Sequence, residues 1–233
     1  STRLHLLAAR EGFLLLVPEQ ERLANPQGCW NWFDTRSGRA YAEAASVVAA
    51  VDQACALHGA DPARVAVAGF SAGASMAALL ALRHPTRFRA VVMHSGVAPG
   101  TAHSAASALG AMQGRRSPPP LPFGAALPPL LAIQGTADSV VKASNGRAAV
   151  ELWAAAAQAR AAIPQGVQRG ARYPMARTDF KRAGRTVATL CEVDGLGHAW
   201  SGGAAGQPFS DPAGPDAGRM IWAFAHARFA EPG

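Results

Sequence analysis

Ser71 lies in Gly69-Phe70-Ser71-Ala72-Gly73, between the apolar run Val65 to Ala68 and the Ala/Leu-rich run Ala74 to Leu82. That order predicts strand, sharp turn, helix, the pattern of a nucleophile elbow. Flanking glycines fit the physics, because a serine on so tight a turn needs neighbours without a Cβ if the following helix is to pass close to the strand. Such a turn would present the Ser71 hydroxyl beyond the strand's C-terminal end and aim the Ala72 amide at a developing oxyanion. The bare pattern also arises by chance in a Gly- and Ala-rich chain, and its strand-turn-helix context is what distinguishes it.

A serine hydroxyl is a poor nucleophile at neutral pH and needs a base within hydrogen-bond reach and a group to orient that base. Asp138 falls just past the apolar run Leu130 to Ile133, in Gly135-Thr136-Ala137-Asp138. His198 falls past Val187 to Val193, in the glycine-flanked Gly195-Leu196-Gly197-His198-Ala199-Trp200-Ser201-Gly202-Gly203. Neutral His198 would take the Ser71 proton during attack on an ester carbonyl and return it to the leaving alcohol, while Asp138 holds the imidazole tautomer. Asp194 and Asp211 are alternative acids, and Asp138 could instead cap a turn. His58 and His84 end predicted helices, where His meets the dipole favourably. His5, His103 and His226 lack a glycine-rich setting, and His94 follows a strand near the site with no matching acid behind it. Trp30, Trp32 and Trp200 fall in loops, where they could form a wall against acyl or polymer chains or simply close the loops over the core. Trp153 and Trp222 fit buried helical positions instead.

These residues need a scaffold that brings loops after different strands to one edge. Strand candidates are Phe13 to Val17, Val65 to Ala68, Ala90 to Met93, Leu130 to Ile133 and Val187 to Val193; helices are expected over about 42–58, 72–84, 145–161 and 215–229. Short apolar runs alternating with helices predict an α/β fold: a mostly parallel sheet with helices on both faces, its functional groups gathered beyond the carboxyl ends of the strands. The proline-rich stretch 110–129 is neither helix nor central strand and reads as a surface connection, or as one wall of a cleft.

With 233 residues, 49% hydrophobic and only 16% charged, the chain suits one large globular domain over residues 1–233. No apolar stretch reaches the length of a membrane span. The net charge of +7 comes almost wholly from arginine, since only Lys142 and Lys181 are lysines among 22 basic residues. The arginines are scattered and no base-reading module accompanies them, which argues against a nucleic-acid partner. Cys29, Cys55 and Cys191 have no metal-ligand spacing. Cys55 and Cys191 read as small buried thiols. Cys29 sits in a polar and aromatic loop, where a disulfide to a cysteine outside the chain is a reasonable expectation.

Several segments together resemble the polyhydroxybutyrate-depolymerase family of α/β-hydrolase esterases, itself similar to feruloyl and acetyl-xylan esterases. They are Val17-Pro18-Glu19-Gln20, Asn25-Pro26-Gln27-Gly28-Cys29-Trp30-Asn31-Trp32-Phe33, Asp61-Pro62-Ala63-Arg64-Val65 before the elbow, the Asp138 and His198 segments quoted above, and Asp211-Pro212-Ala213-Gly214-Pro215-Asp216-Ala217. The order Ser, Asp, His is also that of the α/β-hydrolases. The resemblance implies a triad of Ser71, Asp138 and His198, an oxyanion donor at Ala72, a substrate contact at Trp30, and no metal or cofactor. It implies hydrolysis of poly- or oligo-(3-hydroxyalkanoate) or related short-chain esters, with a feruloyl- or acetyl-xylan-type esterase as the alternative and a secreted, extracellular or periplasmic location. It also implies N-terminal strands and a His-Gly-Cys segment that supplies a second oxyanion amide and a partner for the Cys29 position. Nothing before Ser1 supplies these, so the expectation is an N-terminally incomplete domain: an incomplete gene product, a gap filled by a partner or swapped segment, or a weakly active remnant.

Overall fold

The protein, seen in a computed structural model that describes residues 2–231, is built on one seven-stranded sheet. In chain order the elements are α1 (Leu4–Glu11), α2 (Arg39–His58), β1 (Ala66–Phe70), α3 (Ala72–Arg83), β2 (Ala90–His94), α4 (Ala105–Met112), β3 (Leu130–Gly135) and α5 (Ser144–Ala157). There follow β4 (Arg160–Ala161), β5 (Gln165–Val167), β6 (Met175–Arg182), β7 (Arg185–Val193), β8 (Trp200–Ser201), β9 (Ser210–Asp211) and α6 (Ala217–Phe229). The spatial order is β1-β2-β3-β7-β6-β4, with β5 also on β6. The first four strands are mutually parallel; β4, β5 and β6 join antiparallel.

Strands β2 and β3 are buried at every residue, which is why they read as unbroken apolar runs instead of alternating ones. Their side chains still alternate between two cores. Val91, Met93, Leu130 and Ala132 pack with α3 and α5 around Trp153, whereas Ala90, Val92, Leu131 and Ile133 pack with α6 through Ile221 and Phe224. The chain thus places helices on both faces of a mostly parallel sheet. Helix α3 is buried at every residue from Ala74 to Ala81, because α2 covers the side turned away from the sheet. Small side chains at Ala74, Ala77, Ala78 and Ala81 let it approach the strands closely.

Three expectations about elements need correction. Phe13 to Val17 forms no strand: no ladder pairs it with the sheet, and a strand exists only through its ladder. Beside it β1 is an edge strand, bonded to β2 alone, and a groove of about 830 Å³ lies between them, lined by Leu14, Leu16, Val51, Cys55, Gly69 and Trp200 among others. Second, β6 is a full strand of eight residues, Met175–Arg182, that the sequence reading missed. Its polar outward residues, Arg177 and Asp179, pair with each other and masked the strand pattern. Third, α4 (Ala105–Met112) was not anticipated; Ser104 and Ser107 cap its start reciprocally. Of the proline-rich stretch 110–129, Gly110 to Met112 are helical as the end of α4, against the expectation, while residues 113–129 contain neither helix nor strand and are anchored on the core by Leu121 and Leu127.

Trp153 is 1% exposed and its indole N–H donates to the Pro128 carbonyl at 3.0 Å, tying α5 to the entry of β3. Trp153→Phe leaves that carbonyl without its donor and part of the buried indole's volume unfilled. It should lower unfolding stability by roughly 1–3 kcal/mol, read as a reduced urea midpoint at unchanged slope.

Candidate active site

Ser71 has φ 55° and ψ −119°, a backbone conformation that a residue with a Cβ seldom adopts. Its amide donates to the His94 carbonyl at 2.9 Å, extending the β1–β2 ladder one residue past β1, and its carbonyl accepts from the amides of Ala74 and Ser75 at 3.0 and 3.1 Å. Strand and helix therefore hold the serine from both sides. A Cβ at Gly69 would lie 2.1 Å from the Gly73 backbone, so the first glycine is required for the helix to pass. At Gly73 a Cβ would meet only Trp30 Cδ1, at 3.9 Å, so the second is not required in the same way.

The Ser71 hydroxyl lies 2.9 Å from His198 Nε2, and His198 Nδ1 lies 2.8 Å from Asp138 Oδ2. With the hydroxyl donating to Nε2, the imidazole is neutral with its proton on Nδ1, donated to the carboxylate. Asp138 does cap a turn: its Oδ1 accepts from the amides of Val140 and Val141 at 2.9 and 2.8 Å, leaving Oδ2 for His198. Asp138 thus caps the turn with one oxygen and meets the imidazole with the other. Burial raises the Asp138 pKa, but the hydrogen bond from His198 and those two amides outweigh it, so the carboxyl sits below its ordinary value. Asp194 instead accepts from the Thr136 hydroxyl, and Asp211 from the Ala213 amide. A Cβ at Gly135 would lie 2.1 Å from the Leu196 carbonyl oxygen, so β3 and the loop bearing His198 touch backbone to backbone. The Ala72 amide opens α3 and has no hydrogen-bond partner among the described residues, which leaves it free to donate to a developing oxyanion.

The tryptophans separate. Trp32 is 8% exposed among the residues beneath α2, and Trp200 is 4% exposed with its face on His94, ring centroids 5.3 Å apart. Trp32 closes its loop over the core, Trp200 is buried against His94 yet also lines the groove, and Trp30 is half-buried beside the elbow and lines the groove as well. Sequence reasoning missed Phe209. Its ring is 66% exposed, stands edge-on to His198 at 6.3 Å, and is carried on a backbone with φ 51°. A lone phenylalanine in a polar loop gives no sequence signal; only the β8–β9 pairing, in which the Trp200 amide donates to the Phe209 carbonyl at 2.7 Å, brings it there. Cys29 is an exposed free thiol, Cys55 is half-buried in α2, and Cys191 is buried, its thiol pushed up to about 12 by burial. Among the described residues no helix is long and apolar enough to cross a membrane, and no three His, Cys, Asp or Glu gather as a metal site would require.

A mostly parallel sheet with helices on both faces, a serine on an elbow after one strand and an aspartate and a histidine in loops after two others is the α/β-hydrolase fold. Solved structures share the fold: an acetyl xylan esterase from Aspergillus awamori superposes with a TM-score of 0.63 at 17% identity, over 85% of this chain and 77% of that one. Esterase PE8 does so at 0.55 and 19% identity, over 96% and 83%. Within that fold the chain belongs to the esterase PHB depolymerase family, which it matches over residues 1–162, a span that includes Ser71 and Asp138 and stops short of His198. It is 39% identical over 77 residues to poly(3-hydroxyalkanoate) depolymerase C of Paucimonas lemoignei, covering 33% of this chain and 19% of that protein. With feruloyl esterase B of Neurospora crassa it shares 36% identity over 109 residues, 46% of this chain and 36% of that protein. The chain therefore spans well under half the length of these relatives.

Two outcomes follow from this geometry. Gly69→Ala should fail to give folded protein or lose its cooperative melt, whereas Gly73→Ala should melt within a few degrees of the parent. Equal behaviour of the two would contradict the close approach at Gly69. The second concerns acid. Burial pushes His94 down from its ordinary 6.5 to about 3, so between those values the unfolded chain binds a proton the folded chain does not, and stability falls as pH drops through that window. Asp138, with its lowered folded pKa, adds a loss at still lower pH, as pH falls through the folded value. At about pH 4.5 the His94 contribution is on the order of 2–3 kcal/mol. Urea titrations at about pH 7 and about pH 4.5 should show the difference shrinking by that amount in His94→Gln.

Proposed function

We propose that the chain is a serine esterase hydrolysing poly- or oligo-(3-hydroxyalkanoate) or related short-chain esters through an acyl-enzyme. The observation that carries this reading is the hydrogen-bonded run from Asp138 through His198 to Ser71 at the elbow. In the first half-reaction Ser71 Oγ attacks the ester carbonyl carbon as its proton passes to His198 Nε2, and the oxyanion accepts a hydrogen bond from the Ala72 amide. The carbon–oxygen bond to the alcohol then breaks, with the proton returned by His198 to the leaving oxygen. Water, deprotonated by the same histidine, attacks the acyl-enzyme, and collapse of the second intermediate returns the proton to Ser71. Asp138 stays ionised throughout, its lowered pKa suiting it to stabilise the imidazolium that forms twice in each cycle. Trp30 and Phe209 are the apolar surfaces available to the acyl and alcohol portions.

A second reading, a feruloyl- or acetyl-xylan-type esterase, is favoured by the alignment with feruloyl esterase B, which extends over more of this chain than the depolymerase alignment does. It uses the same residues and differs only in the ester. A secreted location, extracellular or periplasmic, goes with the family resemblance, and the exposed Cys29 is compatible with it.

The test is hydrolysis of p-nitrophenyl butyrate with fluorophosphonate labelling of the serine. The chain should label and turn over; Ser71→Ala should do neither, and Asp138→Asn should lose on the order of a thousandfold or more in kcat. Absence of labelling in the parent chain would leave a non-catalytic remnant on the same fold. Comparing 3-hydroxybutyrate oligomers with methyl ferulate and acetylated xylan then separates the two substrate readings. Phe209→Ala should raise KM for the preferred ester about three- to tenfold with little change in kcat, the mark of an interaction made equally in ground and transition states.

A further inference from the structure

His94 plays no part in the proton transfers, yet it is fully buried at the point where the serine's strand and the histidine's loop meet. Resting on the esterase reading, we propose that His94 is a positioning residue: through its imidazole it holds the loop carrying His198 in register with the elbow carrying Ser71.

Two bonds support this, one from each end of the same residue. The His94 carbonyl accepts from the Ser71 amide at 2.9 Å, and the His94 ring nitrogen Nε2 accepts from the Ser201 amide at 3.1 Å. Ser201 is wholly buried and follows His198 by three residues, so its amide has no water to turn to and must find a protein acceptor. The amides on either side, Trp200 and Gly202, donate to Phe209 and Asp211 across the β8–β9 pair, leaving Ser201 facing the main sheet. His94 is thus the polar tie of that small pair to β2. Because a backbone N–H can only donate, Nε2 must be unprotonated and the ring proton must sit on Nδ1, which faces Ser95 Oγ at 3.2 Å.

The ring is also fixed laterally. One face stacks on Trp200 at 5.3 Å and 23°, and Phe70, the residue before the nucleophile, stands nearly perpendicular to it at 5.3 Å while lying 4.9 Å from the His198 ring. The titratable groups acting on it are His198, which opposes its protonation, and Asp138, which favours it; burial dominates both and keeps the ring neutral through the working range. A protonated ring would have no acceptor for Ser201, so neutrality is a condition of the tie. Since a shift of about 1 Å at reacting atoms costs about a hundredfold in rate, a tie that sets the Ser71–His198 separation acts on turnover more than on substrate affinity.

The test uses the full chain with two substitutions. His94→Phe keeps an aromatic ring for Trp200 but removes the acceptor; His94→Gln places a neutral carbonyl oxygen at about the reach of Nε2. With p-nitrophenyl butyrate, the Phe variant should lose about ten- to a hundredfold in kcat with KM within about twofold, and Gln should recover to within about fivefold of the parent. Independently of activity, amide hydrogen exchange at Ser201 should accelerate at least about tenfold in Phe and stay near parent in Gln. Parent-like kcat and Ser201 exchange in Phe would overturn the proposal, as would a Gln variant as impaired as Phe, which would put the role in ring packing. Should the Phe variant fail to fold, the Gln variant decides alone, since loss of its Ser201 protection overturns the tie. If the parent chain hydrolyses nothing, the esterase reading fails, and the exchange data still determine whether His94 holds this loop.

Discussion

The bond from the Ser71 amide to the His94 carbonyl is the one on which the site is built. A non-glycine residue held at φ 55° costs on the order of 1–3 kcal/mol, more than a single neutral hydrogen bond of about 1 kcal/mol returns. The conformation persists because its surroundings over-determine it. The ladder grips the serine amide, the first turn of α3 grips its carbonyl, and Ser75, one turn on, accepts from the Val97 amide at 2.9 Å through its side chain. The same stepwise extension recurs across the sheet: the Ser95 amide donates to Ile133 and the Thr136 amide to Val193. Each strand end is thereby locked to the next, and the loops leaving them start from fixed points.

From those fixed points the electrostatics follow. Asp138 is buried with one oxygen bound by two backbone amides, so it can be an anion in an apolar setting without a cationic partner. Its other oxygen has one direction of use, toward His198, and Gln134 Nε2 at 3.3 Å keeps it there. Orientation of the histidine is therefore set by groups whose own positions are fixed by β3 and its following turn. Phe70 closes the remaining side, so the imidazole has an aromatic face beside it and little freedom to rotate away from the serine.

Much of this was legible in the residues. The parallel core was readable because β2 and β3 are buried on both faces and so appear as unbroken apolar runs, and the elbow because Gly69 has a steric duty that no other residue type can perform. What escaped was whatever depends on pairing between distant segments. Phe13 to Val17 carries strand composition but forms no ladder, and composition does not report partners. Strand β6 was hidden by its charged residues, and Phe209 is brought to His198 only by a two-residue bridge. His94 was read as a histidine without an acid. In the fold its partner is a backbone amide 107 positions away, a contact that leaves no mark on local sequence.

The three groups of the site are dispersed along the chain: Asp138 and His198 are 60 positions apart, and Ser71 and His198 are 127. No fragment ending within β7 contains His198, and none missing β7 has a place to put it. On the esterase reading proposed above, the base is made 127 positions after the serine and meets it only once β1, β2, β3 and β7 have paired, long-range contacts of a kind that forms slowly. Reactivity on that reading is withheld by topology until those four strands have paired.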